Sequence, residues 1–422
     1  MANSTGLHGS MRIILLVGVI SYFTRKYFVH TLFPHGLPVE MTAEMRVKHA
    51  PVDSSNDSLH TKHGKLTKIA ERLEEGQEPL LIGPETVIVQ PKTNAIFAFC
   101  RGAKLVRLDD LQPSPDNPQY QTAKVTLAAN LGSGAPLSGK FTPDGKTLYV
   151  ADPILGLFRI RNFGESNQSN IEIVASQVVD NDKITPILFA DDVDIGPKTG
   201  KIYFSDATDV APDRLVRELD WDVMYASKVE CIRGKRSGRL LEYNPETEQV
   251  TVLARGLWFT NGVAVDEEET FLIVSQTFAM RLSKYHLTGP QQGSLETLLD
   301  SHQLTGFTDG ADLSWATSGP TAHKAYVAVP TPILPIMKVL QVTPHPVDQF
   351  VRGLLLLVPK WLAPPPVDYA GFVELDLKTG EVRTFQDANP TDLDFITGVF
   401  VQDDKVYLGS LHSNVVGVYD LS

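Results

Sequence analysis

Four side chains at equivalent points of a recurring phrase carry the chemistry this sequence offers: Glu85 in GPETV, Asp191 in FADDVDI, Asn261 in FTNGVAV and Asp309 in FTDGADL. Two further copies of the phrase put the Leu137–Ser138 region and Thr397 at the same point. Carboxylates crowded around one axis repel each other, so ionising them together is costly unless a cation lies between them. Oxygen ligands without cysteine or histidine suit a hard ion, calcium before magnesium or manganese. Turn chemistry is the competing account, because Asp-Gly and Asn-Gly are common before strands. It does not account for Glu85, whose neighbours are Pro84 and Thr86.

Those residues need a scaffold that repeats around an axis, and the chain supplies one. The clearest copies are SGKFTPDGKTLYVAD (138–152), DVDIGPKTGKIYFSDA (192–207), NGVAVDEEETFLIVSQT (261–277) and TGVFVQDDKVYLGSL (397–411). TVIVQPKTNAIFAFC (86–100) fits, and DGADLSWATSGPTAHKAYVAVP (309–330) fits with a longer turn. Each reads as strand, polar turn, strand, with a third strand following. A period of about 40–50 residues with several strands per unit is the pattern of a β-propeller. The expected fold is therefore all-β, a six-bladed propeller of four-stranded blades over residues 81–422. The residue before each first strand then lies at the mouth of the central channel.

Residues 1–33 form a leader and 34–80 a polar stem, with a helical stretch expected over Leu66–Glu75. In the leader, the apolar run Ile13–Phe23 is flanked by Arg12 and Arg25-Lys26, and Tyr27–Phe33 is again mostly apolar. The first run alone is short of the ~20 residues a span needs, but a span that includes the snorkelling basic pair reaches that length. The expectation is an uncleaved signal anchor, with the propeller on the lumenal or extracellular side of a membrane or in the secretory pathway. Asn56-Asp-Ser58 and Asn167-Gln-Ser169 would then be open to glycosylation. A net charge of -12 without basic runs argues against nucleic acid and anionic membrane surfaces as partners. Cys100 and Cys231 cannot form a disulfide framework; they read as free thiols, with a single pairing left open. Two insertions stand out. Asp206–Ser237 is a charged, partly helical loop between the second and third strands of one blade. Thr331–Pro366 is Pro-rich and apolar: a helix packed over the rim, a lid over the channel mouth, or a patch that touches membrane.

The blocks FADDVDIGPKTGKIYFSDAT (189–208), GRLLEYNPETEQVTVLARGLWFTNGVAVDEEETFLIVSQT (238–277), WLAPPPVDYAGFVELDLKTGEV (361–382) and KVYLGSLHSNVVGVYDL (405–421) resemble the strictosidine synthase-like family, including its adipocyte plasma membrane-associated group. The resemblance runs from about Gly83 to the C-terminus. More distantly the chain is similar to gluconolactonases, regucalcin and paraoxonases. That likeness implies a calcium-dependent lactonase or arylesterase on a six-bladed propeller, with Glu85, Asp191, Asn261 and Asp309 as metal ligands. Asp191 stands where that superfamily usually has Asn, which adds a charge. True strictosidine synthases use a glutamate of the last blade as acid/base, and Thr397 or Gly398 occupies that point here. Neither shuttles a proton as a carboxylate does, so condensation of tryptamine with secologanin is not expected. The expected activity is metal-assisted hydrolysis of a small-molecule ester or lactone, with Asp309, beside Glu85, as general base. Asp312 is the weaker candidate because it should face away from Asp309. His412 reads as structural. No G-x-S-x-G nucleophile elbow is present. The alternative is a non-catalytic, membrane-anchored propeller that binds a partner through its rim loops.

Overall fold

The computed structural model describes residues 31–42, 45–46, 59, 65–164, 171–215, 220–333, 335–358 and 367–422. The leader's apolar run and both glycosylation sequons lie outside the described residues. Among the described residues no helix is long and apolar enough to cross a membrane.

Strands dominate, and they are organised by the sequence repeat. Each repeat folds as an antiparallel four-stranded meander. Ala190–Ile195, Ile202–Asp206, Gly238–Asn244 and Gln249–Leu257 make one such sheet. Thr260–Val265, Phe271–Gln276, Arg281–His286 and Leu295–Leu299 make the next. The first strand of each meander is mostly buried, polar residues included, because it faces a neighbouring sheet on either side. Val87–Val89, Ser138–Phe141, Ala190–Ile195, Thr260–Val265, Ala311–Leu313 and Ile396–Gln402 are these inner strands. Each packs beside the next, and the last packs beside the first, so they enclose an axis.

The ring is closed by a segment that the sequence assigned to the stem. Lys65–Glu71 is a strand, not part of the expected helix. It pairs antiparallel with the C-terminal strand Val415–Asp420 and parallel with Tyr120–Asn130. Its alternation decides this: Leu66 and Ile69 are buried between sheets, and Lys68 reaches Asp392 at 3.3 Å. A helix would have set Leu66 and Ile69, three residues apart, on one face; the strand sets them on opposite faces, each in a different core cluster. The last sheet is thus completed by residues that precede the first one in the chain.

Both insertions sit between the second and third strands of their sheets, on the side where the inner strands begin. The first carries a hairpin (Asp213–Leu215 with Asp220–Asp222) and helix α1, Val223–Arg233. Asp222 caps α1 by accepting from the Tyr225 N–H at 3.1 Å, and Gly234 at φ +67 ends it. The second carries α2, Pro335–Val342, and α3, Val347–Leu356. The helices and the N-terminal segment are tied by buried charges. Arg233 pairs with Glu230 and Asp209 and donates to His35 O at 2.8 Å. Arg352 pairs with Asp348 at 2.9 Å and donates to Ile232 O at 3.0 Å and to Val39 O. Arg352 and Asp348 are 1% and 0% exposed. Replacing Arg352 by Met is expected to leave Asp348 buried without its counter-charge. That should lower the opening free energy of α3 by about 3–5 kcal/mol. Amide exchange across 347–356 reads the change, while exchange in the inner strands should stay close to that of the parent.

Candidate functional site

The inner strands begin with an irregularity that aims their first side chains at the axis. The ladder shifts register between Ala190 and Val193, between Thr260 and Val263, and between Ile396 and Gly398. A bulge of this kind re-aims a side chain where a regular strand would alternate. The glycines after Asn261 and Thr397 have a related cause. A Cβ on Gly262 would stand 2.1 Å from Ala311 N, and one on Gly398 would stand 2.4 Å from Glu85 O. Inner strands of neighbouring sheets approach too closely there for any side chain. The Asn-Gly and Asp-Gly pairs are therefore packing at the axis rather than tight-turn chemistry.

Glu85, Asp191, Asn261 and Asp309 all line one cavity of about 430 Å³. Thr397 stands beside Glu85 and donates to its carbonyl at 3.3 Å. Burial pushes the Glu85 carboxyl well above the usual range, and Asp309 and Asp191 push it further; the Thr397 hydroxyl opposes them. Burial likewise raises Asp191, with Asp309 and Asp192 adding to it. Asp309 is raised to about 8, mainly by burial, although a hydrogen bond from Asn261 acts the other way. Asp309 keeps some exposure, consistent with its place on the cavity wall. Three carboxyls thus suppress one another's charge in a single chamber.

The donor set fits a hard cation. Three carboxyls and a carboxamide face the same space, and Glu85 Oε2 is buried without a hydrogen-bond partner. They do not form a finished coordination sphere: among the described residues, no group of three or more His, Cys, Asp and Glu side chains converges as a metal site.

The chamber walls are aromatic, and the sequence carried a signal for them. Phe189, Phe259, Phe307 and Phe395 each stand two residues ahead of an axial residue, in FAD, FTN, FTD and FIT, and all four line the cavity. Phe278 links three of them through ring contacts, with Phe259 at 5.3 Å and Phe307 at 5.4 Å; Phe189 follows from Phe259 at 5.4 Å. Phe259 and Phe395 hold left-handed backbones, φ +59 and +48, which bulky residues adopt only at a cost. The roof comes from the insertions: Met224, Lys228 and Cys231 of α1, Met337 of α2 and Leu355 of α3. Within 331–366, the described helices α2 and α3 thus stand over the chamber.

His412 is also at the wall. It stacks on Phe395 at 4.2 Å, its Nδ1 is 3.5 Å from Asp394, and burial lowers its pKa. Cys100 and Cys231 are free, and burial pushes both thiols up to about 12, so neither is a nucleophile at neutral pH.

Further along the axis the channel is closed by polar groups, of which the sequence reading had weighed only Ser138 and Asp312. Asp192 accepts from Ser138 Oγ at 2.5 Å and from Val263 N at 2.9 Å. Lys140 pairs with Asp194 at 3.1 Å and with Asp312 at 3.5 Å. Burial alone would lower the Lys140 ammonium, but Asp194 and Asp312 hold it above its ordinary value. Asp312 also accepts from Val401 N at 2.7 Å. It does turn to the axis, since Asp309 precedes its strand and the two-residue period does not extend back to it. Its place is in the plug, not in the chamber.

The strictosidine synthase family model matches residues 191–290, which include Asp191 and Asn261. An adipocyte plasma membrane-associated protein of Salmo salar is 26% identical over 371 residues, 84% of this chain and 78% of that protein. Protein STRICTOSIDINE SYNTHASE-LIKE 13 of Arabidopsis thaliana is 31% identical over 181 residues, 43% of this chain and 39% of its own length. Among solved structures, a luciferin-regenerating enzyme superposes with a TM-score of 0.50 at 11% identity, covering 85% of this chain and 95% of that one; the likeness is one of fold. By its sequence this chain is similar to the strictosidine synthase-like proteins, and within them to the adipocyte plasma membrane-associated group.

Proposed function

We propose that the chain is a six-bladed propeller hydrolase of esters or lactones, dependent on a divalent cation, calcium by preference, and held at a membrane by its N-terminal segment. The observation that carries this reading is the pairing of three charge-suppressed carboxyls with an open, largely aromatic chamber directly beside Glu85. Glu85, Asp191, Asn261 and Asp309 would hold the ion. A bound cation would supply Lewis-acid polarisation of a carbonyl oxygen. The residues themselves do the rest. The phenylalanine walls take up the apolar part of a substrate and exclude bulk water. With the ion in place Asp309 would be held ionised, and as a carboxylate it could take a proton from water and return it. By the resemblance, Thr397 or Gly398 stands where a strictosidine synthase would have its glutamate, so the condensing reaction would be left without its acid/base.

A purely scaffolding propeller would have its axis filled beside Glu85. The plug built on Lys140 lies further along, and the chamber itself is open, which favours turnover. The test is hydrolysis of phenyl acetate and of a panel of aryl esters and lactones by the purified full chain. Activity should fall to background in chelator and return with calcium. Calcium binding without turnover of any of them would leave the scaffold as the better reading.

A further inference from the structure

The outer face of the cap carries a row of exposed apolar side chains. On α3, Val347, Phe350, Leu354 and Leu357 follow at i, i+3, i+7 and i+10, a single stripe, and are 52%, 67%, 49% and 41% exposed. Val339 and Val342 of α2 continue it at 57% and 81%. The opposite face of α3 is anchored by the buried Asp348–Arg352 pair, so the helix cannot rotate to hide the stripe. The chain also says what covers it. The first described residues run along this same helix: Phe33 packs against Gly353, and Gln349 donates to Pro38 O at 2.5 Å. The 30 residues before them contain the apolar run Ile13–Phe23. The described chain thus begins beside an apolar stripe and is preceded in sequence by an apolar run; with Lys338 next to Val339, this is the composition of a helix that lies in a lipid interface. A second copy is a poorer occupant, since each chain carries a net charge of -12.

We propose that α2 and α3 seat this face on a lipid bilayer. The same helices present Met337 and Leu355 to the chamber, so its roof would be in contact with the lipid phase, a source of apolar substrate. The proposal stands apart from the hydrolytic reading, because it is read out in lipid without turnover.

The test uses the full chain reconstituted in phosphatidylcholine vesicles. Phe350→Cys and, separately, Val342→Cys are labelled at neutral pH with a polarity-sensitive thiol fluorophore. The two native thiols, pushed up to about 12, stay largely unlabelled. Lipids carrying a quencher on the acyl chain should reduce emission at 350 and 342 at least two-fold. A label at Leu295→Cys, on the outermost strand Leu295–Leu299, should be unaffected. Circular dichroism matching the parent shows that the labelled chains are folded. Quenching at 350 and 342 no greater than at 295 overturns the proposal. So does energy transfer between separately labelled copies without lipid quenching, which would assign the stripe to a second copy of the chain.

Discussion

Glu85→Gln is expected to abolish hydrolysis and stabilise the metal-free protein at the same time. The carboxyl is buried, Oε2 has no hydrogen-bond partner, and Asp309 and Asp191 both disfavour its charge. Nothing in the fold needs that charge; the proposed cation does. The amide keeps the shape and removes one negative ligand, so turnover should fall by about 10²–10⁴. In chelator at pH 8.5 the variant should be more stable than the parent by about 1–3 kcal/mol, from relief of repulsion and desolvation. At pH 5.5 the gain should shrink, because a carboxyl raised by burial and by Asp309 and Asp191 holds its proton more fully as pH falls. Denaturant melts at the two pH values with aryl-ester assays check both halves. Lower stability at both would mean that Glu85 is a structural residue, and its role in the site would be lost with it.

What could be read from the sequence follows from what repeats. Asp191 and Asn261 open strands, and Asp309 precedes one, that must all begin at the axis, so their convergence on one chamber was legible from spacing alone. The phenylalanines two residues earlier repeat in the same way, and were legible though unread. Three things were not. Lys65–Glu71 resembles a charged helix until its partner, the C-terminal strand, is known, because the pairing spans nearly the whole chain. The roof residues Met224, Met337 and Leu355 lie in insertions that do not repeat. Lys140 gains its meaning only from Asp194 and Asp312, which come from two other sheets.

The second large effect is a stability that falls as pH rises, and a cation that cancels it. Asp309 is raised to about 8 in the folded chain against about 4 when unfolded. Between those values the folded state holds a proton that the unfolded state has released. The contribution is therefore fully present below the unfolded value and is lost as pH climbs through the folded one. Glu85 and Asp191 are shifted in the same direction, and Asp192, at about 6, adds to the lower part of the window. His35 and His412, both lowered, act in the opposite sense below about pH 6.5, so the clean interval is pH 6.5–8.5. Across it, in chelator, the loss should be about 2 kcal/mol from Asp309 alone, and more with the other two. Millimolar calcium favours the ionised carboxylates and displaces their protons, so bound ion should flatten the slope or reverse it. Calorimetric melts with calcium and with chelator separate the cases. Equal slopes in both would mean that no ion enters between these carboxyls, and the chamber would then act through its phenylalanine walls alone.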